Sequence, residues 1–226
     1  MTAPVLLVHG FGVDRGIWEP TGWNRALTRA GRSPRAPDLP GHGAAEKPHD
    51  PDAYRPSVLV EVLLAELDEE PTDLVGYSLG AELALELTLA HPHRVRRLVL
   101  GGIGTSRPFA PADAEALVAA VTAGRPAPEG NPAGRMWEMA GRVPGADPLA
   151  LAACLAGVAR EPHFDGVERC TTPALLFAGA DDDLAPGAAD LAAALRSAEQ
   201  LELEGRDHRT ALGAAAAKRR AVEFLA

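Results

Sequence analysis

Cysteine is nearly missing from this sequence: Cys154 and Cys170 are the only two in 226 residues. Neither sits in a Cys-x-x-Cys pair or a zinc-ligand spacing, so no redox motif and no structural metal site is read from them. Two such thiols suit a reducing compartment, and a cytoplasmic location is the expectation. Aromatic side chains are also scarce, at 4%. No apolar run approaches the ~20 residues of a membrane span. The first residues lack a basic stretch followed by a longer apolar one, so no secretory signal is expected. Positive charge is in deficit, with 22 Lys and Arg against 31 Asp and Glu and a net charge of −9. That balance argues against nucleic acid and anionic membranes as partners. The basic cluster Lys218-Arg219-Arg220 reads as a solvated helix face.

What is present is an ordinary globular balance, 46% hydrophobic and 23% charged, in a length that fits one domain. Short apolar runs bounded by Gly and Pro alternate with longer amphipathic segments, the pattern of βα units around a parallel sheet. Strands are predicted at Pro4–Val8, Leu74–Val75 running into Gly76, Arg97–Leu100, Ala174–Ala178 and Glu199–Leu203, with a weaker one at Ser33–Ala36. Runs apolar on both faces suit strands covered by helices on both sides. Helices are predicted at Asn24–Ala30, Ser57–Leu67, Leu79–Ala90, Ala188–Arg196 and Thr210–Phe224. In the third of these, Leu79, Leu83 and Leu87 share a face, while Glu82 and Glu86 lie on another. From about Arg107 to Arg169 the rhythm breaks into Ala-, Gly- and Pro-rich sequence with short helices at Ala112–Ala123 and Pro148–Arg160. Placed between two predicted strands, it reads as a cap or lid inserted into one domain spanning 1–226.

Gly76-Tyr-Ser78-Leu-Gly80 follows a strand-like run and opens a helix. A serine in such a sharp turn has a strained backbone that pushes its hydroxyl into the open, and the flanking glycines leave room for the chain to pass. The helix starting at Leu79 points free N–H groups at the site where negative charge would develop. A second amide donor is expected from the first strand–helix loop, His9-Gly-Phe-Gly, with Phe11 as the candidate beside Leu79. That loop lacks the spacings of phosphate-binding loops, and His9 reads as a prop for it. A serine nucleophile needs a base, and the base needs an orienting carboxylate. His208, between the last strand and the last helix, is the histidine left once the others are explained by loops, by a helix end or by the cap. For the acid, three consecutive aspartates, Asp181, Asp182 and Asp183, compete after the strand Ala174–Ala178.

At this point the chain resembles the α/β-hydrolase superfamily along nearly its whole length. The resemblance rests on His9-Gly-Phe-Gly, Pro37-Asp-Leu-Pro-Gly-His-Gly43, Gly76-Tyr-Ser-Leu-Gly80, Gly179-Ala-Asp-Asp-Asp-Leu-Ala-Pro186 and Asp207-His208, in the family's order. It implies the α/β-hydrolase fold, a mostly parallel sheet of about six strands flanked by helices. It implies the chain order Ser78, acid, His208, and the Asp-x-(Leu/Ile/Val)-x-Pro spacing selects Asp182, with Asp181 second. Ala45 and Ala81 depart from the Ser and Gly of many relatives, and the likeness is strongest to small esterases and lactonases. The implied activity is hydrolysis of a small, lipophilic carboxylic ester, thioester or lactone, with no metal or organic cofactor. The alternatives under the same fold are a lyase, a C–C bond hydrolase, a perhydrolase or a ligand receptor. Serine at 78, where dehalogenases and epoxide hydrolases of the fold carry Asp, argues against those two. Trp18, Met136, Trp137, Met139 and Phe164 are the candidates to line a pocket for a small carbonyl substrate.

Overall fold

The computed structural model describes residues 3–226. Each strand alternates its side chains between two faces, and in this chain both faces are apolar, so both are covered. In β1 (Val5–Val8), Leu6 and Val8 enter one core, while Val5 and Leu7 enter the other. The same split recurs in β5 (Ala174–Gly179), where Leu176 faces the first core and Leu175 and Phe177 the second.

Six strands form one parallel sheet in the order β2-β1-β3-β4-β5-β6, with β2 at Pro34–Arg35, β3 at Thr72–Tyr77, β4 at Val95–Gly101 and β6 at Ala198–Leu203. The order reverses between β1 and β3. That switch point opens a crevice at the carboxyl ends of the two strands, where His9 to Gly12 and Ser78 follow. The edge strand β6 presents Glu199, Gln200 and Glu202 to solvent, and the two carboxylates discourage pairing with another chain.

Helices α1 (Trp23–Arg29), α8 (His208–Leu212) and α9 (Ala215–Leu225) supply the second core around Trp23, Leu212 and Leu225. The first core takes α2 (Pro56–Ala65), α3 (Leu79–Ala90) and, between β4 and β5, α4 (Pro111–Thr122), α5 (Pro132–Ala140) and α6 (Pro148–Val158). Helix α7 (Ala188–Ala194) joins β5 to β6. Among the described residues no helix is long and apolar enough to cross a membrane.

Three local expectations change. The C-terminal helix is two, because the chain ends α8 at Gly213 before α9 begins. The insertion holds a further helix beside the two expected: the Asn131 side chain accepts from Gly134 N–H at 2.7 Å and Pro132 takes the first helical position, so the pair starts α5. Finally, the face of α3 that carries Glu82 and Glu86 is packed as well. The helix is buried nearly all round, Glu82 included.

Candidate active site

The site is built from the loops at the carboxyl ends of the strands. Ser78 caps α3 with φ 53° and ψ −124°, a backbone conformation that L-residues rarely adopt. Close packing enforces it. A Cβ added to Gly80 would lie 2.1 Å from the Val8 carbonyl oxygen, and one added to Gly76 would lie 2.4 Å from the Gly80 carbonyl oxygen. Ser78 N–H donates to Gly101 O at 2.8 Å, which ties the turn to the end of β4.

The loop after β1 approaches the same serine, since a Cβ on Gly10 would sit 3.2 Å from that of Ser78. His9 holds this loop from within. Its Nε2 accepts from Leu39 N–H at 3.0 Å, and its Nδ1 lies 2.8 Å from Gly10 O, an arrangement that needs the neutral ring. Burial, the largest influence, holds its pKa below the ordinary histidine range. Among the described residues the Phe11 and Leu79 amides find no protein acceptor, and both residues border the cavity that contains Ser78.

His208 and Asp182 come together from different loops. Both Asp182 carboxylate oxygens lie 2.9 Å from His208 Nδ1, and the Asp182 side chain is wholly buried while Asp181 and Asp183 are exposed. Leu184 N–H also donates to Asp182 at 3.0 Å. Tyr77, next to the serine, steadies His208 from the other side. Its hydroxyl donates to the His208 carbonyl, and its ring lies 5.2 Å from the imidazole. Gly102, with φ 66°, leaves the gap between them, because a Cβ there would fall 2.9 Å from His208 Cε1 and Tyr77 Cζ.

The cavity beside Ser78 has a volume of about 50 Å³. Phe11, Ile103, Phe109, Met136, Leu155 and Val158 give it apolar walls, and Glu82, Arg107 and His163 a polar one. Of the five expected pocket residues, Met136 borders it. Trp18 does not: it is buried on the opposite face of the sheet, edge-on to Trp23 at 5.9 Å. Trp137 turns its indole N–H to Pro148 O at 2.7 Å, and Met139 is 52% exposed. Phe164 stands one residue behind the wall, its ring tilted against His163 with centroids 3.8 Å apart. An aromatic-poor composition drew attention to large side chains, but their burial went to the core. The polar wall was overlooked, although Glu82 lies four residues after Ser78 and hence on the same side of α3. A second hollow, of about 410 Å³, is bounded by Gly12, Asp38, His42, Lys47, Ala140 and Leu151 and shares no lining residue with the first.

Strand order, the strained serine at the switch point and the loop positions agree with one profile, that of the alpha/beta hydrolase fold, which matches residues 3–125. The chain belongs to the α/β-hydrolase fold family. That match takes in Phe11 and Ser78 and stops before Asp182 and His208. The chain is 40% identical over 112 residues to 2-hydroxymuconate semialdehyde hydrolase of Pseudomonas sp. strain CF600, covering 47% of this chain and 38% of the relative. It is 39% identical over 110 residues to pimeloyl-(acyl-carrier protein) methyl ester esterase of Aromatoleum aromaticum, covering 46% and 38%. The matched stretch thus spans well under half the length of these curated relatives. Among solved α/β-hydrolase folds, a hydrolase from Pseudomonas aeruginosa PA01 superposes with a TM-score of 0.79 at 25% identity, over 99% of this chain and 90% of the other. The enol-lactonase of Burkholderia xenovorans LB400 superposes with a TM-score of 0.77 over 100% and 92%, and at 22% identity it shows the shared fold alone.

Proposed function

We propose that this chain is a serine hydrolase that cleaves a small carboxylic ester, thioester or lactone through an acyl-enzyme on Ser78. One observation carries the reading: the buried Asp182 carboxylate grips His208 Nδ1 at 2.9 Å, within the loop cluster that also holds the strained Ser78. That contact leaves Nε2 of the imidazole as the free basic atom. His208 takes the hydroxyl proton as Ser78 attacks the carbonyl, and Asp182 stabilises the imidazolium that forms. The Phe11 and Leu79 amides, which have no acceptor among the described residues, take up the oxyanion. His208 then gives its proton to the leaving group, and activates the water that releases the acid.

The cavity of about 50 Å³ has room for on the order of four water-sized groups, which suits a short acyl chain. The helices of 107–169 supply Met136, Leu155 and Val158 to its wall, so we read this insertion as the lid that excludes water. A second reading keeps the same serine, with attack of Ser78 on a ketone or aldehyde carbonyl and cleavage of a C–C bond; one relative is named as the hydrolase of a semialdehyde.

A fluorophosphonate probe tests the nucleophile: wild type is labelled at Ser78, and Ser78→Ala is not. An unlabelled but folded wild type overturns the serine reading. On p-nitrophenyl esters of increasing acyl length, Ser78→Ala is expected to lose at least about a thousandfold in kcat, with the shortest chains turned over best by wild type. Labelled enzyme that turns over no ester faster than Ser78→Ala would move the assignment to the C–C bond reading.

A further inference from the structure

Glu82 is a carboxylate in a place where carboxylates are rare. It lies one turn of α3 beyond Ser78, buried, and borders the same cavity. Arg107 balances it, donating from Nε to Oε1 at 2.8 Å and from Nη2 to the same oxygen. His163 Nδ1 stands 3.3 Å from that oxygen as well. All three groups therefore converge on Oε1. Oε2 takes part in none of these contacts, and Glu82 lines the cavity. Burial pushes the Glu82 carboxyl up, but His163 and Arg107 outweigh it and hold the group below the usual carboxylate range. An ionised carboxylate only accepts hydrogen bonds, so a free Oε2 facing a ligand cavity asks for a donor.

Which end of the substrate supplies that donor follows from His208, on the serine-hydrolase reading of the site. The base must reach the leaving group to protonate it, and His208 does not border this cavity, whereas Ser78 and the two amide-bearing residues do. The space beside Glu82 is thus the acyl side. Arg107 already balances the charge, so burying an ammonium ion there would cost desolvation without a free anion to offset it. A neutral hydroxyl fits. We propose that Oε2 of Glu82 is a specificity determinant that reads a hydroxyl on a short acyl group, making hydroxyacyl esters or thioesters the substrate class.

The test compares p-nitrophenyl butanoate with the 2-hydroxy- and 3-hydroxybutanoate esters and with the hemisuccinate. Wild type is expected to prefer one hydroxylated ester over butanoate by about ten- to a hundredfold in kcat/KM, the range of a hydrogen bond to a charged group. The double substitution Glu82→Leu with Arg107→Met, which strands no buried charge, is expected to bring that ratio to one or below. Glu82→Gln, close to the native shape, keeps an acceptor and an intermediate ratio. A wild-type ratio at or below one for both hydroxy esters overturns the proposal, as does a preference for the hemisuccinate, which would assign the wall to Arg107 and a carboxylate. Failure of the serine reading looks different: no probe labelling and no turnover of any ester. In that event binding still decides, because Ser78→Ala titrated with methyl butanoate and the methyl hydroxybutanoates reports the same preference through the Leu79 and Ile103 amide shifts. Equal affinities there would sink the Glu82 assignment by themselves.

Discussion

His42 sits behind the loop that follows β1, with its ring edge-on to Phe11, 5.5 Å away. Its Nδ1 lies 3.0 Å from Pro40 O, while its buried Nε2 finds no partner among the described residues. Burial, and next the nearby His9, push its pKa down from 6.5 to about 4. The folded state therefore holds His42 neutral where the unfolded chain would already take up a proton. Stability from this group is complete above about pH 6.5 and drains away as the pH falls toward 4, by about 3 kcal/mol in all. Urea unfolding at several pH values is expected to show that slope in wild type, and His42→Phe to show a shallower one. Equal slopes would mean that His42 is not the group being titrated. Ser78 displays the other residue-scale principle: its φ of 53° is held by packing around it and not by its own preference.

At the scale of elements, α3 does the most to position the site. Its first turn carries Ser78 and Leu79, and its second carries Glu82 onto the cavity wall. The approach of its N-terminus to β1 is so close that helix propensity has no say there. Alanine would ordinarily gain about 1 kcal/mol over glycine inside a helix. At position 80 the added methyl would meet the Val8 carbonyl oxygen at 2.1 Å and the His9 carbonyl oxygen at 2.5 Å. Gly80→Ala is therefore expected to destabilise by about 3 kcal/mol or more, and to move the loop after β1 away from Ser78. Chemical denaturation measures the first effect, and loss of fluorophosphonate labelling in the folded fraction the second.

On the scale of the whole molecule, one buried ionic cluster ties the chain's C-terminal helix to the sheet. Asp73 of β3, fully buried, pairs with Arg32 and with Arg96, the latter at 2.8 Å through Nε. Both arginines also donate to Leu225 O near the end of α9, at 2.5 and 2.6 Å. Breaking such a cluster from the middle leaves buried charge uncompensated and typically costs about 3–5 kcal/mol. Asp73→Ala is expected to lose that much, with α9 the first element to exchange its amide hydrogens. The cluster is far from Ser78, so residual activity per folded molecule is expected to stay near wild type. An unchanged unfolding midpoint would show that the ion pairs merely replace hydration.

The sequence by itself determined the sheet and the order of its chemistry. Apolar runs bounded by glycine and proline are enough to specify strands covered on both faces, and a serine between Gly76 and Gly80 after such a run specifies a strained turn. Among Asp181, Asp182 and Asp183 the residues alone left the choice open, and the Asp-x-(Leu/Ile/Val)-x-Pro pattern that the family resemblance implies pointed to the aspartate that the structure sets against His208. What surrounds the serine was decided only in three dimensions. Trp18, large and apolar, went to the far core. Glu82, Arg107 and His163, read as a helix face and pieces of the insertion, met at one oxygen beside Ser78. Strand and turn signals are local, carried by residues within a few positions of one another. A cavity wall is assembled from α3, the loop after β4 and the insertion, elements up to 81 residues apart between Glu82 and His163, and no local pattern records which of their side chains will face one another.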